Sequence, residues 1–133
     1  MDYNFKKFTK VGSKLGNYTI SLSGKSFSFG FNSGFYTKEN IKDYKKVVLF
    51  YDAKNKAVAF KFTNDEEAEG AFTVIHSNNG STGSVTAKSF IINNGISEYS
   101  GKKKPNIIKD DDFGELFVIN LLEKKLDIEE QTS

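Results

Sequence analysis

Residues 21–31, SLSGKSFSFGF, alternate with a period of two: Phe27, Phe29 and Phe31 are separated by Ser28 and Gly30 and preceded by Ser26. In an extended chain successive side chains point to opposite faces, so the three rings would share one face and the small residues the other. A helix would scatter the same rings around its circumference. With the alternating NYTIS before it, the stretch reads as a β-hairpin turning at Ser23-Gly24-Lys25. Three phenylalanines exposed side by side would make an unusually large apolar patch, so the face is expected to be buried. The competing use of such a face is a stacking platform for single-stranded bases in a positive groove.

The same logic carries along the chain. In SGFYTKENIKDY, Ser33 stands as a cap, and Phe35, Ile41 and Tyr44 have helix-compatible spacing, which predicts one or two helical turns. KKVVLFYDAKNKAVAFKF, residues 45–62, reads as two strands around a turn from Asp52 to Lys56. After the acidic connector TNDEEAEG the order β-β-α-β-β returns. GAFTVIHSNNGSTGSVTA gives two strands, KSFIINNGI a short helix stopped by Gly95, and NIIKDDDFGELFVINL a hairpin turning from Asp110 to Gly114. Tyr18-Thr19-Ile20 matches Phe72-Thr73-Val74, and Phe35 and Ile41 match Phe90 and Ile96. Val58, Phe60 and Phe62 match Phe117, Ile119 and Leu121, with an insertion around SGKKK absorbing the drift in offset.

The chain is thus expected to be one mainly β domain over residues 1–133, a compact β-barrel of two β-β-α-β-β repeats at 17–62 and 71–121, with a tail at 122–133. A unit this short does not bury its own hydrophobic face, so the halves should pack together as a pseudo-dimer. Phe27, Phe29, Phe35, Phe60, Phe72, Phe90 and Phe117 are the expected core rings. LLEKKLDIEEQTS reads as the start of a helix with Leu121, Leu122 and Leu126 on one side. At 133 residues, the chain can bury roughly two-thirds of its unfolded surface, enough for a core without staples.

The absence of cysteine excludes disulfides, thiol nucleophiles and thiolate metal sites. The longest apolar run is VVLFY at 47–51, far short of the roughly 20 residues of a membrane span, and MDYNFKKF is not followed by a signal-peptide core, so a cytoplasmic location is the expectation. All 19 basic residues are lysines. Lysine acts mainly as a point charge toward phosphate, whereas arginine supplies the commonest bidentate contact to guanine, so DNA binding here would lean on the backbone. Twelve lysines against four acidic residues give residues 1–62 a charge of +8, and seven lysines against thirteen acidic residues give the remainder −6. The basic half is the candidate electrostatic footprint.

Little else in the chain suggests chemistry. His76 is the only histidine and is expected at a strand end or turn. Asp110-Asp111-Asp112 falls where a hairpin needs a polar turn, and Asp65, Glu66, Glu67 and Glu69 read as a solvated linker. SGKS at 23–26 lacks the earlier glycine and the following helix of a phosphate loop. No catalytic residue, metal site or cofactor is therefore assigned, and the chain is not expected to be an enzyme.

From Tyr18 to Phe62 the strand, short strand, short helix and closing hairpin KVVLFYDAKNKAVAFKF resemble the AbrB/MazE/MraZ group of swapped-hairpin barrels, and Phe72 to Leu121 resembles the same unit more faintly. The resemblance implies a DNA-binding regulator whose contacts come from basic residues before the first strand and in the first turn. By position these are Lys10, Lys14 and Lys25, and Lys7 extends the same basic segment. The functional expectation is a small non-enzymatic protein binding double-stranded DNA, as a monomer or homodimer, with Lys7, Lys10, Lys14 and Lys25 on phosphates. The alternative is a phage or mobile-element protein-interaction or structural module, docking a partner through its acidic second half or C-terminal tail.

Overall fold

The computed structural model describes residues 18–122. Their elements are β1 (Ile20–Ser23), β2 (Ser28–Phe31), α1 (Ser33–Lys38), a 3-10 turn at Ile41–Asp43, β3 (Lys46–Asp52) and β4 (Ala57–Thr63). The second half holds β5 (Phe72–Thr73), β6 (Ile75–Ser77), β7 (Thr82–Thr86), α2 (Lys88–Asn93), β8 (Ser100–Lys103), β9 (Asn106–Asp110) and β10 (Gly114–Asn120). The fold is mainly β. No helix among the described residues is long and apolar enough to cross a membrane.

The long hairpins owe their turns to aspartate. Asp52 Oδ1 accepts from the backbone N–H of Lys54 and Asn55, both at 3.1 Å, before Lys56 turns left-handed at φ +53°. Asp110 Oδ2 accepts from Asp112 N and Phe113 N at 2.9 and 3.0 Å. A short acceptor that bonds its own backbone two or three residues on closes such a turn. The triple aspartate is thus a hairpin tip, and the described residues hold no group of acidic and histidine side chains placed to bind a metal.

The strands form two antiparallel five-stranded sheets, ordered β6-β7-β2-β1-β8 and β5-β3-β4-β10-β9. At the centre of each sheet a strand of the first half pairs with one of the second: β2 with β7, Phe29 opposite Val85, and β4 with β10, Phe60 opposite Phe117. The β1–β2 and β6–β7 hairpins thus lie side by side in one sheet, and the β3–β4 and β9–β10 hairpins in the other. No ladder among the described strands joins one sheet to the other. What links them is a strand that changes sheet: Phe72–Thr73 pairs with β3, and Ile75–Ser77 pairs with β7. Val74 lies buried at the crossover, its N–H donating to the Lys45 carbonyl at 2.9 Å.

Between the sheets lies one core. Phe29 meets Phe60 edge-on at 5.1 Å, Phe31 meets Phe62 at 5.1 Å, and Phe35 of α1 meets Phe117 at 5.0 Å. These are the offset and perpendicular arrangements that the ring quadrupole favours. Phe29, Phe31, Phe35 and Phe60 are fully buried, so the alternating rings fill a core and are not a stacking platform. Six-residue helices are too short to stand on propensity alone; Phe35, Tyr36 and Ile91, all buried, hold α1 and α2 in place.

Several expectations are corrected. The first turn runs over Gly24–Phe27, so Phe27 leaves the strand at φ +53° and is half-buried against the core edge. Phe72 and Phe90 are likewise half-buried. The cap of α1 is Asn32 rather than Ser33, and its side-chain amide donates to Thr19 Oγ1 and Ser21 Oγ instead of closing the helix. The SGKKK insertion is a strand, β8, paired along β1. The helix expected around Leu126 lies outside the described residues.

Candidate nucleic-acid interface

Lys25 is exposed at the tip of the β1–β2 hairpin. Its position is set by Gly24, whose N–H donates to the Tyr99 carbonyl at 3.1 Å. A Cβ at Gly24 would stand 1.9 Å from the Ser97 carbonyl oxygen, so only glycine lets the two backbones come this close. Around the contact lies a shallow cleft lined by Ser23, Lys25, Ser97, Glu98, Tyr99 and Ser100. Lys25 therefore shares its surroundings with a carboxylate, and a phosphate approaching it also approaches Glu98.

More lysines lie on and after the neighbouring strand β8. Register places Lys102 opposite Ser21 and Lys103 opposite Ile20, and Lys104 follows at the end of β8. Lys102 and Lys104 are exposed, whereas Lys103 is half-buried and donates through Nζ to the Leu121 carbonyl at 3.3 Å. The centre of this sheet's outward face is small and polar, with exposed Ile75 on edge strand β6. Ser84, Gly30, Ser21 and Lys102 line up across β7, β2, β1 and β8, with Thr86, Ser28, Ser23 and Ser100 in the next row. Exposed Lys102 and Lys104 at the β8 edge, with Lys25 at the hairpin tip, flank this hydroxyl-rich centre with positive charge.

Lys7, Lys10 and Lys14 lie outside the described residues. Lys102 and Lys104 were missed from sequence because a run of lysines with no apolar alternation carries no strand signal. Buried Pro105 just after the strand was the single local cue to an edge.

His76 is structural. The Tyr44 carbonyl can only accept, so the ring nitrogen Nε2, 2.9 Å away, carries the proton; in the neutral ring Nδ1 then accepts from the Tyr36 hydroxyl at 2.7 Å. The imidazole ties β6 to α1 and to the segment before β3. Tyr18 lies at the other side of α1, its hydroxyl donating to Glu39 Oε2 at 2.7 Å. Burial, then the Glu39 hydrogen bond and charge, push this phenol well above the ordinary tyrosine range. The Tyr36 phenol is raised by burial and by Asp43. Both phenols are thus held more firmly protonated than a free tyrosine, the opposite of an activated nucleophile.

No family model, curated protein or solved structure matches the chain.

Proposed function

We propose that the protein is a small non-enzymatic DNA-binding protein, of the regulatory kind that the AbrB/MazE/MraZ resemblance implies, contacting duplex phosphates through lysines. The observation that supports this reading is that exposed Lys102 and Lys104 lie on or just after edge strand β8, whose first residue, Ser100, borders the cleft at Lys25, which adds two lysines to the candidates Lys7, Lys10, Lys14 and Lys25. The pairing of like hairpins between the two halves supports the resemblance. Lysine contacts hold position on the duplex and carry little sequence information, so binding is weak, salt-sensitive and nearly uniform across sequences.

The test is a fluorescence-anisotropy titration of the full chain against duplex DNA, single-stranded DNA and RNA over a salt series. Each phosphate contact should add about −0.9 to the slope of log affinity against log salt, so four contacts give about −3 to −4. Replacing Lys10 and Lys14, or Lys102 and Lys104, by glutamine should flatten the slope by roughly 2 while weakening all sequences alike. No duplex binding at low salt would overturn the reading in favour of a protein-interaction module.

A further inference from the structure

The outward faces of the two sheets differ sharply in chemistry. Serines, threonines and Gly30 make up most of the first, with Ile75 and Lys102 on its two edge strands. On the second, Phe50, Ala59 and Val118 line up across β3, β4 and β10, while Leu116 pairs with Ile108 on β9. These residues alternate with Leu49, Phe60, Phe117 and Ile119, which point into the core, so they stand on the opposite side of the sheet. Leu116 is buried, yet it lies outside the central core cluster. It belongs to a separate apolar cluster where Phe113 folds back from its turn onto Phe50, with ring centroids 4.6 Å apart. Phe113 and Ile108 remain almost half exposed, at 47% and 46%. Lys61 shares the face but sends its ammonium to the Phe113 carbonyl at 2.7 Å, leaving its hydrocarbon stem on the surface.

We propose that this face is a self-association surface, on which a second copy of the chain packs sheet to sheet. Charge placement identifies the occupant. Lys46 and Asp52 stand at opposite ends of β3 on the outward face, and Asp110 stands on β9 at the same end as Lys46. Two two-fold arrangements stack the face on itself. With the axis across the strands, Lys46 comes over Asp52 of the second copy; with the axis along them, it comes over Asp110. Both arrangements bring opposite charges together at the rim of an apolar centre, so the face is complementary to itself. Four strands about 4.8 Å apart and seven residues at about 3.4 Å give a footprint of roughly 450 Å². A standard stable interface takes about 800 Å² from each partner, so the dimer is expected to be a weak one.

Sedimentation velocity on the full chain from about 1 to 500 µM tests this, with a species of twice 14.9 kDa expected to grow in with concentration. Ile108→Glu should shift dissociation at least tenfold. Phe113→Ser, in an exposed turn, should weaken the dimer in the same direction, and an unchanged circular dichroism spectrum separates loss of contact from loss of fold. Lys46→Gln should weaken the dimer and be non-additive with Asp52→Asn or with Asp110→Asn, since asparagine keeps the side-chain oxygen that closes each turn. The coupled aspartate identifies the axis. A monomer at 500 µM would overturn the proposal and assign the face to a different protein or to a terminal segment of this chain. A dimer indifferent to both Ile108→Glu and Phe113→Ser, or one with no coupling of Lys46 to either aspartate, would also overturn it.

Discussion

Phe27 and Phe29 are two positions apart in an alternating run, and the turn between β1 and β2 separates their fates. Phe29 is fully buried between the sheets, so Phe29→Ala should cost about 3–5 kcal/mol through lost transfer energy and the cavity left behind. Phe27 sits at a left-handed φ with its ring beneath Lys88 Nζ at 5.4 Å, and Phe27→Ala should cost about half as much. Thermal melting of the two variants side by side checks the difference. Period-two spacing told which rings share a face but not where the strand stops, because a serine-glycine-lysine-serine tip allows several turn registers. A second residue-scale prediction concerns pH. Tyr18 and Tyr36 hold their protons more tightly in the fold than in the unfolded chain, whose phenols ionise near pH 10. The unfolded state then binds fewer protons than the native one, so stability is intact below about pH 10 and falls as pH rises through and beyond it. The fall in melting temperature between pH 9 and 11 should be shallower in Tyr18→Phe than in the parent chain; equal slopes would refute the assignment.

Among the elements, the hairpins and both helices were legible because burial imposes period two on strands and wider spacing on helices. β8 was not legible, since Ser100-Gly101-Lys102-Lys103 has no apolar face, and its pairing with β1 is dictated by the backbone rather than by side chains. AFTVIHS read as one strand because a change of sheet at Val74 needs no break in alternation. The docking of β8 depends on the glycine contact at the hairpin tip. Gly24→Ala would drive a methyl group into the Ser97 carbonyl, which forces the tip away from Ser97–Tyr99 and should cost about 1–3 kcal/mol. Amide exchange at Gly24 and along β8 should accelerate in this variant while β3, β4 and β10 stay protected. Uniform exchange loss across both sheets would show that the contact matters to the whole fold instead.

At the scale of the whole molecule, the seams β2–β7 and β4–β10 make each half the missing neighbour of the other. Residues 18–63 and 64–122 produced separately should each lack a cooperative thermal transition, and mixing them should restore one. Independent melting of either fragment would contradict a shared core. The candidate lysines fell only partly within reach of sequence reasoning for the same reason. Charge counting found the basic half, but Lys102 and Lys104 belong to the acidic half and join Lys25 only through long-range pairing. That pairing also sets a timetable for the chain as it leaves the ribosome. Ile20 waits for Lys103 and Phe60 for Phe117. At about 5–20 residues per second, the 57 residues separating Thr63 from Asn120 take roughly 3 to 11 s to synthesise. When Thr63 has been made, all four strands of the first half have an open edge; β5, β7 and β8 close those of β3, β2 and β1 in turn, so the edge of β4 is the one left open to misassociation longest, until β10 emerges.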